Sequence, residues 1–156
     1  NYAAVTHPCN SANESTTVNQ TTPTLVTVAS AGGPVGTQVT DQATLSGAFN
    51  ATGTITFTLY GPNDATCANA PVFTSNAITV NGNGAYTSAP AFTTTQAGVY
   101  RWRAVYSGDA NNASVSHPCN AANESVTIGQ LTPTIATTAS AASCRTQRSA
   151  SPTGWA

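Results

Sequence analysis

One nonapeptide constrains this chain more than any other feature. Residues 7–15 read HPCNSANES, and residues 117–125 read HPCNAANES. Slid by 110 residues, 1–31 aligns with 111–141 at about 20 of 31 positions, and TPTLVTVAS at 22–30 returns as TPTIATTAS at 132–140. Repetition at a fixed offset marks an array of one structural unit. A period of this length is too long for a solenoid turn and suits a whole β-sandwich of about 100 residues. The register follows. Residues 1–21 are the closing strand of a preceding repeat or a linker, 22–130 are one complete unit, and 131–156 open a further repeat and end in an atypical tail. After Ala141 the match stops: the first copy continues GGPVGTQVTDQATLSGA and the second ASCRTQRSASPTGWA. A natural terminus, a shifted reading frame and an unrelated assembly segment all fit that break. A chain that opens on Asn1 without Met is expected to be processed or part of something longer, and no signal-peptide pattern is read in it.

Inside the complete unit, apolar residues alternate with period two. In Thr54–Tyr60, Ile55, Phe57 and Leu59 share one face and threonines take the other. In Val99–Tyr106, Tyr100, Trp102, Ala104 and Tyr106 point one way, Arg101, Arg103 and Val105 the other. Further strands are expected at Leu25–Ala29, Val39–Leu45, Pro71–Val80, Ala85–Phe92 and Glu124–Ile128, with NGNG at 81–84 as a hairpin turn. The repeat assigns faces too. Leu25 becomes Ile135 and Val18 becomes Ile128, which marks core positions; Val26 becomes Ala136 and Val28 becomes Thr138, which marks outward ones. Seven strands in about 105 residues predict an all-β antiparallel sandwich. No window carries an apolar stripe of helical period.

Composition narrows the partners. Only 6% of residues are charged, the net charge is -1, and there is no lysine. Without a basic cluster, nucleic acid and anionic membrane are not expected partners. No apolar run reaches 18 residues, so no membrane span is expected. Cys9, Cys67, Cys119 and Cys144 contain no CxxC pair, which argues against zinc. An even cysteine count among threonine-rich strands fits disulfides in an oxidising, extracellular setting, with buried thiols as the alternative.

AGVYRWRAVYSGDANN at 97–112 resembles the late strands of bacterial Ig-like repeat domains, GTITFTLYGP at 53–62 their middle strand, and DQATLSG at 41–47 their second. The resemblance covers roughly 22–130. It implies an immunoglobulin-like antiparallel β-sandwich of about seven strands, found in tandem in adhesins, stalks and large extracellular surface proteins.

Candidate residues follow from that frame. Cys67 and Cys119, the two cysteines of the complete unit, are expected to form a disulfide closing a loop of about 50 residues and contributing about 3–4 kcal/mol. Cys9, the equivalent of Cys119, lacks its partner's unit, so Cys9 and Cys144 are candidates for an intersubunit or mutual bond. Tyr100 is a candidate tyrosine-corner residue, and Trp102 is expected in the core rather than as a sugar platform. Asp109 with Asn111 and Asn112 offers too few oxygens for calcium and is expected to form a side-chain-stabilised turn. His7 and His117 are equivalent positions, not a converging pair, and neither shows an acid partner. Lys–Asn isopeptide crosslinks, a feature of some surface Ig-like modules, are excluded by the lack of lysine. Asn13, Asn19, Asn50, Asn112 and Asn123 stand in N-x-S/T sequons.

No catalytic, cofactor or metal constellation emerges, so no enzyme is expected. The expected function is an extracellular structural repeat that builds a stalk, fibre or surface filament by head-to-tail association with like subunits. The strand carrying that association is Asn13, Glu14, Ser15, Thr16, Thr17 and Val18, the copy of the closing strand. The alternatives are an adhesin-type module binding carbohydrate or a host protein through loops 61–70 and 107–122, and an accessory domain of a secreted enzyme.

Overall fold

The structure is a computed structural model that describes residues 1–140. Strands are longest where the threonine–apolar alternation is cleanest. β5 (Thr54–Tyr60) and β10 (Gly98–Tyr106) run antiparallel with Trp102 opposite Leu59 and Tyr106 opposite Ile55. β12 (Ser125–Gly129) flanks β10 on its other side, Tyr100 opposite Val126. β2 (Gly33–Pro34) lies parallel to β12, the short β6 (Phe73–Thr74) and β7 (Ile78–Thr79) pair with β5, and β11 (Val115–Ser116) pairs with the end of β10. The second sheet is β1 (Thr24–Ala29), β4 (Asp41–Ser46) and β8 (Gly84–Thr87). β3 (Gln38–Val39) and β9 (Phe92–Thr93) form a small ladder of their own. No helix occurs among the described residues, and none is long and apolar enough to cross a membrane.

The core lies between the two sheets in a sandwich-like arrangement. Ile55, Phe57, Leu59, Tyr100, Trp102 and Tyr106 are all fully buried, as the alternation requires. Leu25, Ala43 and Leu45 meet them from the opposite sheet, and Phe73 packs edge-on against Trp102 with ring centroids 6.0 Å apart. Burying such side chains contributes about 1.5–3 kcal/mol each. Val26 and Val28 point outward. Tyr100 donates its hydroxyl back to the carbonyl of Gln96, four residues upstream, as a tyrosine corner does.

Four sequence expectations change, the first being Val39–Leu45, which divides at Thr40 into β3 and β4. Pro71–Val80 is not one strand; it breaks into β6 and β7, because Ser75 turns inward and its hydroxyl takes the Phe57 N–H. NGNG is not a hairpin. β7 pairs with β5 and β8 with β4, so residues 81–84 carry the chain from one sheet to the other. The type I′ turn that Asn-Gly favours needs positive φ at both central residues, and here Gly82 alone has it (φ 83°). The crossover is held by Gly82 N–H on the Ala51 carbonyl and by the Asn83 amide, which bonds the Ala48 backbone in both directions. Ala85–Phe92 likewise divides, into β8 and β9, which belong to different ladders.

Residues 1–20 lie outside this sandwich, and Asn13–Val18 forms no strand and pairs with none among the described residues. Its local shape is nevertheless that of the second copy. Asn10 and Asn13 have φ of 68° and 70°, Asn120 and Asn123 61° and 67°. Asparagine tolerates this left-handed region through local side-chain bonding, so the turn sequence sets its own backbone without tertiary help.

Candidate functional site

Three polar residues occupy inward phases of three strands. Thr27 follows Leu25 on β1, Asp41 precedes Ala43 and Leu45 on β4, and Glu124, immediately before β12, precedes Val126 and Ile128 in the same phase. Alternation therefore drives each into the interior. Thr27 donates its hydroxyl to Glu124 Oε1, and His117 Nδ1 stands 2.7 Å from the same hydroxyl oxygen. The Thr27 hydroxyl thus stands between Glu124 Oε1 and His117 Nδ1, and the tautomer of the imidazole sets the direction of the second bond. His117 Nδ1 is also 3.5 Å from Glu124 Oε1. This corrects the expectation that neither histidine has an acid partner: β11 and the loop after it bring His117 back over Glu124, across a turn that sequence spacing alone does not close.

The electrostatics of this cluster are those of groups held away from water. Burial lifts the Asp41 carboxyl to about 7, and the neighbouring Glu124 adds to the rise. Burial also raises Glu124, against the opposing bond from Thr27. Both Asp41 oxygens and Glu124 Oε2 lack hydrogen-bond partners. Burial lowers His117, favouring its neutral form. Two buried carboxyls that repel one another hold a proton far more readily than exposed ones. Thr27, Asp41 and Glu124 are buried between the sheets, and two surface hollows, near Phe49 and near Val35, are lined by other side chains. What the arrangement does is tie β1 to β12.

A second joint lies outside the sheets. Cys67 and Cys119 form a disulfide with Cα atoms 6.1 Å apart. Beside it, Asp64 accepts from the backbone N–H groups of Asn69, Ala68 and Thr66, Asn69 foremost, which holds its carboxyl below the usual range. Arg101 reaches the Asp64 carbonyl and the Asn120 side chain. Cys9, the copy of Cys119, is exposed and has no disulfide partner among the described residues; Cys144 lies outside them.

The third feature is the turn after β10. Asp109 accepts from the N–H groups of Thr52, Asn111 and Asn112, from the Tyr106 hydroxyl and from the Asn112 amide. The Thr52 N–H contributes most to holding its carboxyl far below the usual range. Tyr106 is pushed up to about 12 by burial, aided by that bond. The carboxylate is thus occupied by protein donors, as the turn reading requires. Gly108 (φ 72°) opens the turn, and a Cβ there would stand 2.7 Å from Ser114 N. Asn112 is the hub. Its side chain is 1% exposed, donates to the Phe49 carbonyl and accepts from the Phe49 N–H and the Thr21 hydroxyl. The Asn112 sequon is therefore closed to modification, whereas Asn13, Asn19, Asn50 and Asn123 are exposed. Thr21 is also bridged by backbone to Asn111 and Ala113, and Gln20 donates to the Asp109 carbonyl.

Of the two loops, 61–70 and 107–122, the first part of the second (107–112) sits at the far end of the β5–β10 ladder, beside Tyr106–Ile55, whereas its last part meets loop 61–70 beside Arg101–Tyr60 through the Cys67–Cys119 bond and the Asn120 amide on the Ala65 carbonyl. Sequence reasoning missed Thr27, Asp41 and His117 with Glu124 as a cluster, although three of the four stand at inward phases that the alternation marks. In comparison with known proteins, the chain matches no family model and no curated sequence.

Proposed function

We propose that this chain is a section of an extracellular array of immunoglobulin-like units, in which each unit joins the next head to tail to build a stalk, fibre or surface filament. The strand orders β1-β4-β8 and β12-β10-β5, facing each other, support an immunoglobulin-like arrangement. The half-buried Cys67–Cys119 bond is compatible with an extracellular location.

The observation that carries the reading is the first copy of the closing segment. Asn10 and Asn13 hold the same left-handed backbone as Asn120 and Asn123, yet residues 7–20 lie outside any sheet, while Gln20 and Thr21 are fastened to the Asp109 turn of the complete unit. This is the placement expected of a strand that belongs to a neighbouring unit and leads into this one. A strand with unpaired backbone can complete another sheet's edge. An adhesin-type binding module and an accessory domain of a secreted enzyme remain the alternatives.

Removing residues 1–20 tests the reading. Electron microscopy of the full chain is expected to show head-to-tail oligomers or filaments that the shortened chain does not form. Assemblies unchanged by the deletion would count against it.

A further inference from the structure

We infer that the two ends of the unit are matching halves of a packed junction, with Phe49 as its anchor and the preceding repeat as its occupant. The inference rests on the head-to-tail reading and specifies its contact surface.

Each end carries a hollow. At one end a hollow of about 430 Å³ is lined by Val18, Gln20, Thr21, Phe49 and Ala110. At the other, a hollow of about 580 Å³ is lined by Val35, Gln96, Ala97, Gln130 and Leu131. The period of 110 residues makes Gln130 and Leu131 the copies of Gln20 and Thr21. The same two chain positions therefore stand in both hollows. In an array the chain leaves one unit through the second hollow and enters the next through the first. The two hollows must then abut, and the preceding unit's copies of Val35 and Ala97 come to lie over Phe49.

Phe49 suits that role. It is 60% exposed, although an aromatic ring of this size is normally the most strongly buried kind of group. Its backbone is fixed on both sides by the Asn112 amide, so the ring is presented from a rigid loop. A rigid, exposed aromatic with a rim of amides is the composition of an interface centre. The linker is short and itself hydrogen-bonded through Gln20 and Thr21, which keeps the two hollows in reach at little entropic cost. Successive units are thereby held at one angle instead of swinging freely, which a load-bearing array needs.

The test uses the full chain preceded by a second copy of residues 22–110, so that Asn1 takes the place of Asn111 and residues 1–20 close the added unit. Relaxation rates and residual dipolar couplings from both units are measured by NMR. The inference expects one alignment tensor for both units, and two tensors with a shorter correlation time after Phe49→Ser or Gln20→Ala. Each of these side chains is exposed or peripheral to the core, so the units stay folded. Two folded units that tumble independently in the unsubstituted protein would overturn the junction while leaving the head-to-tail reading intact, as would a single tensor that survives Phe49→Ser. An added unit that does not fold would overturn both.

Discussion

The two copies of the nonapeptide are one sequence in two surroundings. In the second, Glu124 is fully buried beneath Thr27 and His117, Cys119 is bonded to Cys67, and the strand that follows places Ile128 in the core. In the first, Glu14, Cys9 and Val18 are all exposed. Yet the backbone is the same, left-handed at both asparagines of each copy. Local turn chemistry therefore determines the shape of the loop, and tertiary surroundings determine whether that shape does anything. A motif that reads like a binding signature is a joint, and it becomes one only when a sheet lies beneath it.

That contrast can be broken at several strengths. The largest effect is expected from Cys67→Ser combined with Cys119→Ser. Opening a loop with a sequence separation of 52 lowers the unfolding free energy by about 4 kcal/mol, measured by denaturant titration, whereas Cys9→Ser leaves it unchanged. Next is pH. Asp41 holds its proton to about 7 in the fold against an ordinary 3.8. Its contribution is therefore fully present below about pH 4 and lost as pH rises through 7, by up to about 4 kcal/mol. Asp41→Asn flattens that slope and raises the melting temperature at pH 8. His117 acts in the opposite sense: its lowered value means that stability falls as pH drops below the usual histidine range. After Asp41→Asn this acid-side loss remains, beside the slope of Glu124, whose raised value still favours lower pH.

Smaller effects sharpen the comparison further. Ile128→Ala empties a core position and costs about 3 kcal/mol. Val18→Ala at the equivalent site changes nothing measurable in the same chain. Asn123→Ala forces a Cβ-bearing residue without a local partner into the left-handed region and costs about 1 kcal/mol. Asn13→Ala leaves the melting temperature where it was, because no folded structure depends on its turn.

Much of the sandwich was legible in the sequence because alternation maps directly onto burial. Ile55, Phe57 and Leu59, and Tyr100, Trp102 and Tyr106, sit where period two puts them. The failures share a cause. Pro71–Val80 and NGNG read as a strand and a hairpin on local propensity, but their pairing partners are β5 and β4 in opposite sheets, a fact that no local pattern carries. The buried cluster lay nearer the surface of the text. Thr27, Asp41 and Glu124 each interrupt an inward apolar row, and a polar residue in such a row needs another polar residue across the core. His117 left no such mark, because it reaches Glu124 from a loop.

The central claim is that residues 7–20 are the closing segment of a neighbouring unit. It is tested most directly by giving them a sheet: residues 22–110 fused ahead of Asn1, with amide hydrogen exchange followed from Thr16 to Val18 and disulfides mapped by peptide mass. The account predicts that these amides, unprotected in the native chain, become as protected as those of Val126 to Ile128, and that Cys9 bonds the added copy of Cys67. Unchanged exchange at Thr16 to Val18, with Cys9 still a thiol, would contradict it.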